Sequence, residues 1–251
     1  MIIEVRDLRK SFGDLRVLDG VTFSVAPGQA VAIIGVSGGG KSILLKHLIG
    51  LITPDSGEVL IAGQSITGMD ERQLLKVRRR FGMLFQGAAL FDSLTVEENV
   101  GFLLAREGRT DAAEISRRVA EVLDLVGLEG TQKKMPSELS GGMRKRVGLA
   151  RAVVYRPEIV LYDEPTTGLD PIASDTIDQL IRRVVEKLNV TSIAVTHDMR
   201  SVRRISNRIL MLHKGRIYAD QTPEEIFSST DPVIHRFVNG ISDPVETHLP
   251  V

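Results

Sequence analysis

The stretch Gly35-Val36-Ser37-Gly38-Gly39-Gly40-Lys41-Ser42 fits the phosphate-binding loop pattern G-x-x-x-x-G-K-[ST] at every fixed position. An apolar run at 30–34 precedes it and predicts a buried parallel strand, and apolar residues with helical spacing follow it up to Ile52. A glycine-rich turn with a chance lysine would need neither flanking element. The order of strand, loop and helix therefore predicts an α/β fold that binds a polyphosphate.

The backbone and the side chains of this loop have separate predicted roles. The glycines let successive N–H groups point at a polyphosphate, and the start of the helix adds the positive end of its dipole. Lys41 would reach the β- and γ-phosphates of a nucleoside triphosphate, and the Ser42 hydroxyl would bind Mg²⁺. The residues predicted to bind the nucleotide here are Gly35, Ser37, Gly38, Gly39, Gly40, Lys41 and Ser42.

The composition is that of an ordinary globular chain of 251 residues, 43% hydrophobic and 25% charged, so we expect one compact domain. Because 32 basic residues balance 32 acidic ones, no overall field favours nucleic acid as a partner. The absence of cysteine excludes disulfides and thiolate metal sites. The N-terminus lacks the apolar core of a signal peptide, and no run approaches the roughly 20 apolar residues that span a bilayer. We therefore expect any role at a membrane to be played from outside the lipid.

Short strands separated by turns are predicted in the first part of the chain, at 2–5, 21–25 and 58–62. Together with the strand before the loop, they predict a mixed sheet whose edge is antiparallel. A helix is predicted at 70–80 and a strand at 81–86, which ends on the polar residue Gln86.

The segment from 95 to about 154 has mainly helical patterns. It begins with Thr95 and Glu98 in the spacing of a capping box, and apolar stripes at 115–126 and 143–154 predict core packing. This block predicts a helical insertion that separates the loop from the second half of its own sheet. The remaining predicted strands are at 159–163, 192–196 and 209–213, and helices are predicted to start at Pro171, Pro223 and Pro232.

The strand at 159–163 ends in two adjacent carboxylates, Asp163 and Glu164. Beside a phosphate-binding loop, Asp163 would lie near Mg²⁺ and bind it through water. Glu164 would lie near the γ-phosphate, where a carboxylate can position or polarise an attacking water. Many strands end in acidic residues, so this pattern alone is a weak signal of a catalytic site. It becomes a strong one together with the motifs that accompany it.

The segment Leu139-Ser140-Gly141-Gly142-Met143, followed by a basic helix, resembles the signature of the ABC-type ATPases. Gln86, the run 164–170 and Thr196-His197-Asp198 match that family in order and spacing over nearly the whole chain. The resemblance implies a P-loop ABC-type ATPase core, with a mixed sheet and an antiparallel β subdomain, plus a helical insertion subdomain. Within a single domain, 1–251, it assigns about 1–90 and 156–220 to the core, about 91–155 to the helical subdomain and 221–251 to C-terminal helices and tail.

The resemblance also implies roles for individual residues. Ser140, Gly141 and Gly142 would bind the γ-phosphate held by a second copy of the chain, through N–H groups at a helix start. Gln86 would touch Mg²⁺ or the attacking water and report the nucleotide to a transmembrane subunit, and His197 would contact the γ-phosphate. The implied catalytic residues are therefore Glu164, His197, Lys41 and Gln86, and the implied metal ligands are Ser42, Gln86 and Asp163.

Four further positions have two interpretations or depart from the family pattern. Asp170 resembles a loop aspartate that communicates between subunits, and it equally fits a helix cap before Pro171. Phe12 lies where the family keeps an aromatic that stacks on adenine, and it could equally belong to the core. Met143 replaces a usual glutamine. Ile43, counted among the nucleotide-binding residues, stands near the α-phosphate where a hydroxyl is common, and we expect ATP hydrolysis to survive both replacements.

Two longer runs, 83–96 and 135–143, are similar to the ATPase subunit of the Mla-type, or Mce-associated, phospholipid transporters, as is the segment 231–245. This similarity implies a homodimer that binds ATP and Mg²⁺ at the cytoplasmic face of the inner membrane, peripheral to it. Its implied partners are integral membrane permease subunits and an Mce-type lipid-binding protein. In that group the C-terminal extension of each ATPase reaches across to the other; a passive surface tail is the alternative.

Other classes of P-loop protein share some of these motifs. An ABC importer ATPase for an amino acid or a metal chelate would share all the nucleotide motifs. A DNA clamp of the same family would need a long coiled coil between loop and signature, and the segment 42–139 is too short for one. Ribosome-acting members usually carry two cassettes in a chain, and a small-molecule kinase would leave Ser140, Gln86 and His197 without a role.

Overall fold

The structure is a computed structural model that describes residues 1–108 and 110–242, and its frame is a pair of β-sheets. The described residues form these strands: β1 (Ile3–Phe12), β2 (Leu15–Val25), β3 (Ala30–Ile34), β4 (Ser56–Ile61), β5 (Gln64–Ser65), β6 (Phe81–Leu84), β7 (Ile159–Asp163), β8 (Thr191–Val195), β9 (Arg208–His213) and β10 (Arg216–Gln221). A four-stranded antiparallel sheet has the order β2-β1-β4-β5. A six-stranded sheet has the order β10-β9-β3-β8-β7-β6, in which only β10 runs antiparallel to its neighbour.

Helices connect and cover these strands. In the described residues they are α1 (Lys41–Leu48), α2 (Glu71–Arg78), α3 (Val96–Glu107), α4 (Ala112–Leu125), α5 (Gly141–Val153), α6 (Pro171–Leu188), α7 (Met199–Ile205), α8 (Pro223–Phe227) and α9 (Pro232–Val238). The capping box predicted at Thr95 and Glu98 starts α3. None of these helices combines the length and the apolar composition that crossing a lipid bilayer requires.

The six-stranded sheet brings the glycine-rich loop and the two predicted carboxylates to one edge. Every residue of β7 and β8 is buried, as expected of central parallel strands covered on both faces. Because β3, β8 and β7 are parallel neighbours, the loop after β3 and the carboxylates at the end of β7 emerge at the same edge. This edge is where ligands bind in open parallel sheets.

The predicted helical insertion is confirmed, since α3, α4 and α5 lie between β6 and β7, which pair directly with each other. The predicted stripes of α4 and α5 belong to a core that these helices share with α6 and the six-stranded sheet, as Val119, Val147 and Ala150 show. A second core fills the space between the two sheets and α1. The chain thus leaves the sheet at β6, builds a helical layer and returns to the adjacent strand.

The predicted strands at 2–5 and 21–25 are confirmed but too short. Strands β1 and β2 continue to Phe12 and from Leu15, and they pair along almost their whole length. The extra residues carry cross-strand ion pairs on an exposed face, such as Arg9 with Asp19 at 2.5 Å. Because these residues are charged, the sequence lacks the regular alternation of apolar and polar residues there, and the predicted strands ended too early. Residues 243–251 of the predicted tail lie outside the described residues.

Candidate nucleotide site

The glycine-rich loop joins the buried end of β3 to the start of α1. Gly35 has φ 153°, and a Cβ at this position would lie 2.3 Å from the carbonyl oxygen of Leu212, so only glycine fits. Gly40 caps α1 with φ 94°, and among the described residues no side chain caps this helix and no acidic residue lies in its first turn. The first N–H groups of α1 therefore need an acceptor from elsewhere, as at other anion-binding helix starts.

Lys41 is held inside this loop. Its side chain is 6% exposed, and Nζ donates to the carbonyl oxygens of Gly35 at 2.9 Å and Val36 at 3.0 Å. Burial lowers the pKa of the Lys41 ammonium, and the nearby carboxylates of Glu164 and Asp163 act in the opposite direction. A bound polyphosphate would supply the negative charge that such a half-satisfied buried ammonium favours.

Ser42 and Asp163 meet although 121 positions separate them. The Ser42 hydroxyl donates to Oδ1 of Asp163 at 2.7 Å, and Asp163 is only 8% exposed. One hydroxyl and one carboxylate beside a phosphate-binding loop are the sparse oxygen set that suits Mg²⁺, which keeps waters and takes further ligands from substrate phosphates. Ser42 and Asp163 therefore fit the ion for which they were predicted.

Glu164 has its backbone in the left-handed region, with φ 48°, and its N–H donates to the Val195 carbonyl oxygen of β8 at 2.9 Å. Its carboxylate lies 2.9 Å from Nδ1 of His197 through Oε2 and 3.1 Å through Oε1. The Thr167 hydroxyl donates to the same carboxylate at 3.1 Å. Two side chains thus orient the carboxylate at the end of β7, one residue beyond Asp163.

Gln86 lies two positions beyond β6, the strand beside β7, and its side chain is exposed. Its backbone carbonyl oxygen accepts a short hydrogen bond from Nζ of Lys145, which also donates to the Glu164 carbonyl oxygen at 3.2 Å. Sequence reasoning missed Lys145 because a lysine on a basic helix is normally solvated. A signal was present, since Gly148, Leu149 and Ala152 share its helix face and leave that face small and apolar.

Phe12 ends β1 at the turn into β2 and is 48% exposed, so the interpretation that it belongs to the core is wrong. Lys10 places its Nζ 5.4 Å from the centre of the Phe12 ring. The hairpin runs beside the loop, since a Cβ on Gly40 would lie 2.9 Å from Cγ1 of Val17 on β2. An exposed ring on a hairpin that contacts the loop is compatible with a stacking surface for a base.

The predicted signature forms the start of α5. Ser140 is its N-cap, and the Ser140 hydroxyl oxygen accepts from the Met143 N–H at 3.3 Å. Cβ atoms built on Gly141 and Gly142 would lie 3.7 Å from Leu169 and Ala173 respectively, so this end of α5 faces the start of α6. Within 1–108 and 110–242, no hydrogen bond or ion pair joins Ser140 to the loop at 35–42.

Asp170 is confirmed as a helix cap, because its Oδ1 accepts from the N–H groups of Ile172 and Ala173, each at 2.9 Å.

The two departures from the family pattern have packing roles. Ile43 is half-buried against the core between the sheets, and Met143 is half-buried against the helical core. Neither side chain takes part in the described hydrogen bonds of Lys41, Ser42 or Glu164.

Comparison with known proteins places this geometry in a family. A family model described as ABC transporter matches residues 18–167. The chain is 40% identical over 250 residues to the intermembrane phospholipid transport system ATP-binding protein MlaF of Haemophilus influenzae, covering 99% of this chain and 95% of that protein. It is 43% identical to the chloroplastic protein TRIGALACTOSYLDIACYLGLYCEROL 3 of Arabidopsis thaliana, over 97% of this chain and 75% of that protein.

Two further similarities concern another substrate and the assembly. The methionine import ATP-binding protein MetN of Rhizobium johnstonii is 41% identical over 99% of this chain, which covers 68% of that protein. The dimeric post-hydrolysis structure of the ATP-binding cassette MJ0796 bound to ADP and Pi has a TM-score of 0.81 and 32% identity, covering 88% of this chain and 98% of that one. The family match, the relatives and the loop, carboxylate and signature geometry agree, and the chain belongs to the ABC transporter family as an ATP-binding subunit that hydrolyses ATP.

Proposed function

We propose that this chain is the ATPase subunit of a transporter that moves phospholipid between membranes through a separate integral membrane permease. The similarity to MlaF carries the proposal, because it extends over 99% of this chain and 95% of that protein. The runs 83–96 and 135–143, which resemble Mla-type ATPases, support the same substrate class.

For the chemical step we propose that Glu164 accepts a proton from the water that attacks the γ-phosphate. His197 and Thr167 hold its carboxylate in place, which supports a general-base role. Lys41 and the N–H groups of the loop would bind the β- and γ-phosphates, and Phe12 would stack on the adenine. Mg²⁺, which would screen phosphate charge, would be held by Ser42 and Gln86, and by Asp163 through water.

We further propose a homodimer in which each nucleotide lies between the loop of one copy and the Ser140 end of α5 in the other. Two observations support it. The described contacts of Ser140 stay at the start of α5, away from the loop of its own chain. The similar cassette MJ0796 was solved as a dimer with ADP and Pi. Asp170, at the start of the neighbouring helix α6, would then lie at the contact between copies.

The permease would dock beside Gln86, at the cytoplasmic face of the inner membrane, with an Mce-type lipid-binding protein in the same complex. Exposed apolar side chains just before Gln86, in the loop after it and on α3 support this docking surface: Phe85 is 37% exposed, Phe91 44% and Leu103 51%. Phe91 and Phe102 pack with their ring centroids 4.6 Å apart, which gives the surface a rigid aromatic element. We also propose that 1–90 and 156–220 move as the core and 91–155 as the helical subdomain.

The decisive experiment purifies the chain with its native permease and identifies the bound lipid by mass spectrometry. We expect phospholipid in the wild-type complex, and ATP-dependent transfer of labelled phospholipid between vesicles. The matched control is the same complex with Glu164→Gln, which should retain the lipid and lose the transfer. A wild-type complex that hydrolyses ATP without moving phospholipid would overturn the proposed substrate.

A methionine-type importer is the second candidate, because the similarity to MetN is of equal strength. It is less favoured, since this chain covers only 68% of that protein but 95% of MlaF. An amino acid that stimulates ATP hydrolysis by the purified complex, with no phospholipid bound, would decide for this candidate.

A further inference from the structure

Lys145 is a buried cation in the second turn of α5, with 5% of its surface exposed. Its Nζ donates to two backbone carbonyl oxygens, a short bond to that of Gln86 and a bond of 3.2 Å to that of Glu164. Burial lowers the pKa of the Lys145 ammonium, while Glu164 and Asp163 act in the opposite direction. One side chain of the signature helix therefore joins the two loops whose residues are proposed to act on the attacking water.

Both loops hold backbone conformations that L-residues rarely adopt. Glu164 has φ 48°, and after Gln86 the chain continues through Ala88 with φ 60° and Ala89 with φ 49°. Non-glycine residues stay in this region only where the surroundings determine it. At Glu164 the ammonium of Lys145 is one of the groups that fix the peptide from which the carboxylate extends.

Helix α5 carries a second cation on the loop after Gln86. Arg151 donates to the carbonyl oxygens of Ala88 and Ala89, each at 2.7 Å. Gly148 makes the close approach possible, because a Cβ there would lie 2.9 Å from Leu84 and 3.3 Å from Ala88. Arg151 thus anchors the loop alone, whereas Lys145 anchors the loop and Glu164 together, and this difference allows the two effects to be separated.

We propose that Lys145 is a positioning residue that fixes the backbone of Glu164 relative to that of Gln86. The bond would hold the Glu164 carboxylate in place for hydrolysis, and a shift of the segment at Gln86 would move the carboxylate with it. The inference rests on the proposed roles of Glu164 and Gln86 in hydrolysis. It assigns Lys145 no contact with the nucleotide, so ATP binding is independent of it.

The test compares Lys145→Met, Lys145→Gln and Lys187→Met in the complete complex with the permease. Methionine retains length without N–H donors, glutamine restores two donors without charge, and Lys187 is an exposed control on α6. We expect Lys145→Met to lower kcat roughly ten- to a hundredfold, the scale of a small misplacement of a reacting group. KM for ATP and the affinity for a non-hydrolysable ATP analogue should stay within about twofold, and Lys145→Gln should recover most of the lost kcat.

An unchanged kcat in a folded Lys145→Met complex would overturn the inference, as would equal kcat values for Lys145→Met and Lys145→Gln. Arg151→Met, which leaves the bond to Glu164 in place, should lower kcat less; an equal loss would assign the effect to the loop alone. If Lys145→Met does not fold, as judged by thermal unfolding, the shorter Lys145→Leu replaces it with the same two outcomes. Because kcat is read from hydrolysis, a failure of phospholipid transfer in the wild type would overturn the proposed substrate and leave this result intact.

Discussion

The starts of α1 and α5 can both attract an anion through backbone N–H groups and the helix dipole, but they differ in how they are capped. Both present backbone N–H groups and a positive dipole end, and neither has an acidic residue in its first turn. At α1 the cap is Gly40, without a side-chain bond, and Lys41 is buried beside it. At α5 the exposed Ser140 already satisfies one N–H. We therefore expect the start of α1 to bind an anion more strongly than the start of α5.

The largest expected effect lies at neither helix start but at Glu164, the carboxylate proposed as the general base. Glu164→Gln should reduce ATP hydrolysis by roughly 10²–10⁴-fold, the usual contribution of a general base, and leave ATP affinity intact. Size-exclusion chromatography with ATP should then show a persistent dimer. The control is Glu158→Gln, an exposed carboxylate before β7. Normal turnover in Glu164→Gln would contradict its assigned role.

A second change tests the stronger helix start. Lys41→Ala removes a charged donor from the loop, and charged hydrogen bonds contribute about 1.5–3 kcal/mol, so ATP affinity should fall roughly ten- to a hundredfold. Isothermal titration of the isolated chain measures this directly. Lys46→Ala, in the same helix, is the matched control. Equal affinities for the two variants would show that the loop does not depend on its buried ammonium.

A third change tests the weaker helix start and its partner. Ser140→Ala should leave ATP affinity of the isolated chain unchanged, cost about 1 kcal/mol of stability through the lost cap, and reduce hydrolysis. When Ser140→Ala and Lys41→Ala chains are mixed, each mixed dimer regains one intact site. Hydrolysis by the mixture should then exceed that of either variant alone. An activity equal to their average would place Ser140 and Lys41 in the same chain's site.

The smallest effect is expected away from both helix starts, at the buried Asp178 of α6. Burial raises the pKa of Asp178 to about 6, although Ser201 donates to its carboxylate at 2.9 Å. Since the pKa of Asp178 in the unfolded chain is about 3.9, ionisation of this carboxyl favours unfolding. The free energy of unfolding should therefore fall as the pH rises from about 4 to about 6. Above pH 6, Asp178→Asn should raise Tm by about 2–4 °C, equivalent to roughly 1 kcal/mol.

Thermal unfolding at pH 4 and pH 8 measures this effect, and Asp92→Asn, on an exposed loop, is the control. ATP affinity should not change in Asp178→Asn. A Tm difference from the wild type that is the same at both pH values would show that the charge of Asp178 does not matter.

The parts of the site that the sequence predicted are those in which short motifs determine local structure. The loop at 35–42 carries its own glycines, and Asp163 and Glu164 end a strand whose partners are apolar runs. Lys145 was not predictable in this way, because its contacts arise only when α5 lies directly on β6 and the loop after it. Phe12 had two interpretations because burial depends on tertiary packing, and its exposure excluded one of them.

The left-handed backbone of Glu164 has a consequence for protein engineering. Glycine adopts this conformation without strain, so Glu164→Gly would relieve an energetic cost of about 1 kcal/mol or more at a position with φ 48°. A screen that scores heat resistance alone would therefore reward the loss of the carboxylate. Directed evolution of this chain toward thermostability must select for turnover in every round, because glycine, the residue best suited to this backbone, lacks the carboxylate proposed as the general base.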